Sequence, residues 1–165
     1  MAHGAVPGST AAENVQRSAR YVAAARGLIG LVLALNLQCA LAFLIQPGAY
    51  TSGFELNQGS GGAAVGEAML RALGLLFVMW NVPYAVACWN PRRHLVSLLE
   101  AVTMQAIGLV GESWIWLALT PAHPVARASL LRFILFDGAG LAALLAALAL
   151  VLASRRTFLP KREYY

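Results

Sequence analysis

Five ionisable residues stand within or beside otherwise apolar stretches: Glu67, Arg71, Glu112, Arg132 and Asp137. A charge at a bilayer centre costs about 2.5–3.5 kcal/mol on insertion scales, so such residues face partners or a cavity. Two kinds of chemistry fit these types. A carboxylate in low dielectric can bind a ligand or carry a proton. The plainer alternative is a hydrogen-bonded clamp that registers helices, worth about 0.6–2 kcal/mol per contact. Glu67 and Arg71 are spaced to pair along one helix face. Arg132 and Asp137 lie roughly 140° apart around a helix, so each needs a different neighbour. We expect Arg71, Glu112 and Arg132 to form one outer network. We expect Asp137 to meet polar groups on other helices, the candidates being Asn36, Gln38, Asn81 and Gln105. Glu100 is placed to reach a basic inner surface.

The elements that carry these residues follow from composition. Hydrophobic residues make up 59% of the 165, charged residues only 12%, and the mean hydropathy is +0.66. Soluble domains average about 25% charged residues. A soluble enzyme with a polar shell is excluded, and so is disorder, which needs low hydrophobicity. Crossing a bilayer takes about 20 mostly apolar residues per helix. Four runs qualify, at 27–46, 66–89, 95–119 and 129–153. The chain is therefore expected to be all-α, an integral membrane four-helix bundle. Residues 1–26 form an N-terminal cytoplasmic segment, 47–65 an outer loop, and 154–165 a basic cytoplasmic tail. The Leu-Ala run from Leu141 to Ala153 is the most lipid-like segment.

Charge placement gives the orientation. Arg17, Arg20 and Arg26 precede the first span; Arg92 and Arg93 separate the second and third; Arg155, Arg156, Lys161 and Arg162 follow the fourth. The positive-inside rule places both termini in the cytoplasm. Trp89, Trp114, Trp116, Tyr21 and Tyr50 fall near span ends, as interfacial rings do. Trp80 is mid-span and should pack or meet lipid. The outer loop carries Gly59-Ser60-Gly61-Gly62, a flexible or tightly turned run. Ala40-Leu41-Ala42 reads like a signal-cleavage site, but the polar lead-in is long and the apolar run continues to Ile45, so cleavage is not expected. Pro83 should kink the second span and release a carbonyl. Gly27-x-x-Gly30, Gly108-x-x-Gly111 and Gly138-x-Gly140 should allow close intramolecular packing.

Several chemistries are missing. The histidines are His3, His94 and His123, none at mid-span, so a bis-His haem is not supported. No HExxH, Walker A, dinucleotide-binding or nucleophile-elbow pattern occurs. Cys39 and Cys88 form no CxxC and read as small buried hydrophobes. The net charge of +5 sits in short clusters beside apolar runs, not in a groove for nucleic acid.

Glu67-x-x-x-Arg71-Ala-x-Gly74 opens the second span and Arg132-x-x-x-x-Asp137-Gly138 the fourth. With four short spans, this pattern resembles the DoxX-like group of small bacterial membrane proteins, over Arg26 to about Ala153. The resemblance implies a multi-pass inner-membrane location. Founding members of the group are membrane subunits linked to thiosulfate:quinone oxidoreduction; most members have no established activity. The longer outer loop and the lack of a cysteine pair depart from the group, so its architecture and polar positions carry over and its sulfur chemistry does not. The expected function is a non-enzymatic accessory subunit or binder of a small hydrophobic molecule, a quinone or lipid. The alternatives are a proton-coupled transporter using Asp137 and a membrane subunit of a quinone-linked oxidoreductase. Expected partners are the lipid bilayer and further membrane subunits, with no nucleic acid; the sequence specifies no cofactor.

Overall fold

The computed structural model describes residues 7–57 and 62–156, with side chains from residue 12. His3, Gly59 to Gly61, Lys161 and Arg162 lie outside the described residues. All regular structure among the described residues is helical: α1 (Pro7–Ile45), α2 (Gly48–Thr51), a 3-10 turn (Ser52–Phe54), α3 (Gly62–Trp80), α4 (Val82–Trp89), α5 (Leu95–Ala118) and α6 (Pro124–Arg156). Four helices, with α3 and α4 counted as one, are long and apolar enough to cross a membrane. The short connections make successive spans antiparallel. One end of the bundle, here the terminal end, carries the start of α1 and the end of α6. The other is the loop end. α1 packs on α3, α4 and α6, and α5 closes the ring by packing on α4 and α6.

Lipid-facing composition explains the surface. Leu31, Leu41, Met69, Leu75, Ile107 and Leu135 are all more than 45% exposed. In water this would be an aggregation-prone belt; against hydrocarbon it is the solvent match. The Leu-Ala run of α6 is not lipid-facing throughout. Its stripe Leu144, Ala147 and Val151 is fully buried, while Leu145 is 48% exposed. An all-round apolar helix offers no moment to orient it; small residues and the polar residues above them do so instead. The buried stripe joins Ile29, Tyr84, Ala87, Leu98 and Ala101 in a dry core within the terminal half.

α1 starts 20 residues before the first apolar run. At 1.5 Å per residue it spans roughly 58 Å, about twice the ~30 Å hydrocarbon core. α6 overshoots similarly, and the two overhangs are stapled by the α4–α5 turn. Arg92 donates from Nε to Ser154 Oγ at 2.9 Å and from Nη2 to the Ser154 carbonyl at 2.8 Å. The same Nη2 reaches Ser18 Oγ on α1. Ser18 and Ser154 are 1% and 0% exposed. Arg26 adds a bond from Nε to the Cys88 carbonyl at 3.0 Å. The basic residues read above as topology markers thus also join the spans.

At the loop end, α1 stops at Ile45 because Pro47 has no N–H to continue the ladder. Phe43, 1% exposed, is the hub of an aromatic cluster. Tyr50, Phe54, Phe77 and Phe133 have ring centroids 5.1–6.1 Å from it. Glu55 then ties the loop to α6. Its Oε1 accepts from the Val125 and Ala126 amides, each at 3.2 Å, and its Oε2 meets His123 Nδ1 at 2.6 Å. A carboxylate at a helix N-terminus satisfies orphan amides and the helix dipole together. Glu55 holds a left-handed backbone, φ 56° and ψ 29°, to reach them. Arg127 caps the end of α5 through the Trp116 and Leu119 carbonyls and lies 4.2 Å over the Trp116 ring.

Two expected outcomes follow. Arg92→Lys should lose roughly 2–3 kcal/mol in reversible unfolding from mixed micelles, because an ammonium lacks the guanidinium fork and each hydrogen bond to a charged group is worth about 1.5–3 kcal/mol. Wild-type stability in Arg92→Lys would remove the staple from the account. The His123 contact, then the Ala126 amide, hold the Glu55 carboxyl below its ordinary range. Stability from a depressed carboxyl is present above its unfolded pKa and is lost as pH falls through the folded one. Protection of the Val125 and Ala126 amides against exchange should therefore be full near neutrality and collapse in acid, below the ordinary carboxylate range. Glu55→Gln should weaken that protection at neutral pH.

Candidate functional site

The site begins at the break in the second span. Pro83 cannot donate to the Met79 carbonyl, and the helix is interrupted at Asn81, between α3 and α4. The Asn81 amide is shared between the Phe77 and Val78 carbonyls at 3.1 and 3.2 Å, and its side-chain Nδ2 donates to Phe77 O at 2.7 Å. The kink tips α3 onto α1, whereas α4 packs on both α1 and α5. Space opens between the spans on the loop side of Asn81.

Below that space runs a polar thread. The Tyr84 hydroxyl on α4 reaches Gln105 Oε1 on α5 at 2.7 Å and the Ala101 carbonyl at 3.1 Å. Gln105 Nε2 then donates to Asp137 Oδ1 on α6 at 2.8 Å. Tyr84 is 0% and Gln105 3% exposed. Two glycines make room for this pair. A Cβ on Gly108 would collide with Asp137 Oδ2, and one on Gly140 would lie 2.8 Å from Gln105 Nε2. Both were expected to serve helix approach and instead seat side chains. Their companions Gly27 and Gly111 face open space, and Gly138 makes only an ordinary contact. Tight backbone approaches are found instead on α3, at Gly74, where a Cβ would lie 2.8 Å from the Ala40 carbonyl of α1, and at Gly66, where it would lie 2.6 Å from the Leu56 carbonyl of the preceding loop.

Above the thread is a cavity of about 80 Å³. Asp137, Glu112, Asn81 and Asn36 supply its polar wall, and Trp80 and Phe136 are among its apolar residues. Glu112 Oε2 and Asn81 Oδ1 are buried without a hydrogen-bond partner. A second chamber, of about 540 Å³ and open to the surface, lies toward the loop end between α1 and α6, with Gln38, Tyr50, Ser129 and Arg132 on its wall. Cys39, Phe133 and Phe136 line both chambers and form the partition. Trp80 therefore packs inward.

The expected residues divide accordingly. Asp137, Gln105, Asn81, Asn36 and Glu112 converge on one cavity, and Asp137 takes Gln105 from its four candidates. Arg132 and Gln38 line the neighbouring chamber. Glu67 and Arg71 pair at 3.1 Å on an outer face of α3, with side chains 36% and 51% exposed. The expected Arg71–Glu112–Arg132 network does not form: Arg71 is taken by Glu67 one turn away on α3, Arg132 lines the larger chamber, and Glu112 lines the smaller cavity. Glu100 is exposed and makes no ion pair among the described residues. Tyr84 was missed. Its signal, a tyrosine immediately after a helix-breaking Asn-x-Pro, was in the sequence, but an interfacial ring looks the same there. No group of His, Cys, Asp and Glu among the described residues could hold a metal ion.

The chain matches no family model, no curated protein and no solved structure. Within the site, Gly108→Ala should displace the Asp137 carboxylate and lower the unfolding midpoint. Gly111→Ala, three residues on and facing open space, should raise stability by up to ~1 kcal/mol through helix propensity. Equal effects of the two would mean that Gly108 is not reserved for Asp137.

Proposed function

We propose that the chain binds a small hydrophobic molecule, such as a quinone or a lipid, within the loop half of the bundle, either alone or as an accessory membrane subunit. The observation that carries this reading is the pair of adjoining chambers, about 540 and 80 Å³, whose walls combine aromatic rings with a defined set of polar side chains. Ligand pockets are commonly 300–1,000 Å³, mostly apolar, with a small number of placed polar atoms. Energetics points the same way. A charge in the bilayer costs about 2.5–3.5 kcal/mol on insertion scales, against about 0.6–1.7 kcal/mol for an interhelical hydrogen bond. Asp137 has one such bond and Glu112 leaves an oxygen unpaired. As a clamp the two carboxyl groups cost more than they return.

The finer placement belongs to the same reading. Arg17, Arg20, Arg26, Arg92, Arg93, Arg155 and Arg156 gather at the terminal end. Arg127 at the opposite end is engaged in capping α5. This asymmetry supports cytoplasmic termini in an inner membrane. The Arg132-to-Asp137 motif supports a place in the DoxX-like group. A second reading, proton-coupled transport through Asp137, is favoured by Glu112 standing on the same cavity. Native mass spectrometry of protein gently extracted from its own membrane tests the main reading. The expected spectrum shows a small-molecule adduct on the chain, alone or with partner subunits, that is lost in Phe136→Trp, where the partition is overfilled. A bare chain from native membrane would overturn it.

A further inference from the structure

We propose that the 80 Å³ cavity is a subsite for a primary ammonium group carried on an apolar body. The inference rests on reading the two chambers as a ligand site and names the head group that the inner one selects. Its first basis is the sign of the wall. Glu112 and Asp137 both line the cavity, and no basic residue does so among the described residues. The second basis is independent of charge. Asn81 is 3% exposed and lines the cavity, and its Oδ1 has no partner. Its orientation is fixed, because the amide nitrogen must be the atom that donates to the Phe77 carbonyl at 2.7 Å.

The unsatisfied groups therefore share one character. Asn81 Oδ1 is an acceptor, Glu112 Oε2 is one in the ionised form that a bound cation favours, and both are buried. Two nearby amides could have donated: Gln105 is committed at both ends to Tyr84 and Asp137, and Asn36, also on the wall, reaches neither oxygen. A buried acceptor left unmade costs about 1–3 kcal/mol. A head group that only accepts, as a quinone carbonyl does, leaves these oxygens unsatisfied, so of the ligands named above the inner cavity favours an amino-headed lipid over a quinone. An ammonium offers three donors and a positive charge and no acceptor. Phe77, Trp80, Phe133 and Phe136 complete the wall with aromatic rings. Ring faces attract cations, more strongly when desolvated. The larger chamber has the opposite sign, with Arg132 and no carboxylate on its wall. A cation is thus directed inward, and its apolar body lies against the partition of Cys39, Phe133 and Phe136.

The test is equilibrium dialysis of radiolabelled n-butylammonium against the full chain in lipid nanodiscs, with empty nanodiscs as the blank. Neutral n-pentanol, one methylene longer so that apolar burial alone would favour it, is the comparison ligand. We expect saturable binding of one butylammonium per chain and at least tenfold weaker binding of pentanol. Glu112→Gln should weaken butylammonium binding at least tenfold, while Glu67→Gln, whose side chain pairs on the outer face of α3, should not. The wild-type comparison of the two ligands stands even if Glu112→Gln fails to fold. Equal binding of pentanol and butylammonium would overturn the ammonium assignment and leave the ligand site intact. Binding of neither, with an adduct still present on the native protein, would overturn the assignment for this cavity alone. Binding of neither to a chain that is also bare would overturn both.

Discussion

The carboxamide of Gln105 joins three spans through two hydrogen bonds, and its direction is fixed from both sides. Its oxygen receives Tyr84 and its nitrogen reaches Asp137. Neither end can be exchanged, because Asp137 as a carboxylate only accepts. The register of α4, α5 and α6 depends on this group. A slip of one residue turns a helix by about 100°. It would carry Gln105 away from both partners and strand polar groups in hydrocarbon. An apolar bundle in lipid has no comparable penalty, since one leucine face packs much like another. Gly108 and Gly140 belong to the same constraint, being the two places where a methyl group would occupy the space of the pair.

The thread also divides the molecule. On its terminal side the core is dry: Ile29, Ala87, Leu98, Leu144 and Val151 close the bundle. On its loop side the spans stand apart. The kink at Asn81 separates them, and the aromatic hub around Phe43 and the Glu55 tie join the spans again at the far end. A cavity in a four-helix bundle collapses unless both its ends are braced. Here the braces are of different kinds. The lower one is polar and sets direction; the upper one is aromatic and fills volume.

Sequence made the four spans legible because apolar length is a direct physical requirement of the bilayer. It also made Asp137 legible and set Gln105 among four candidate partners, since a mid-span carboxyl must find a polar group on a neighbour; only the fold selects Gln105. It failed where a residue's task depends on a distant loop or turn. Arg92 marks topology by its position, yet its guanidinium staples Ser18 to Ser154 across long sequence separations. Glu55 sits in a loop of ordinary polarity, and only the approach of the α6 N-terminus makes it a cap. The expected outer network failed for a related reason. Residue type placed Arg71, Glu112 and Arg132 at similar depth, but depth says nothing about azimuth. Arg71 stays with Glu67, one turn before it on the same helix.

The two carboxyl groups of the cavity are not equivalent. Asp137 has a structural reason to exist, because replacing it would leave Gln105 Nε2 without an acceptor. Glu112 has none of that kind. It lies roughly 9 Å below the loop end of α5 at 1.5 Å per residue, within reach of the interface by a modest helical rotation. It nevertheless faces inward with an oxygen unpaired. Packing alone would favour a leucine there, which carries no polar oxygen into a cavity. The fold therefore tolerates Glu112 without using it, and the same holds for the free oxygen of Asn81. Both act on the space between the spans, and what occupies that space decides what this bundle does.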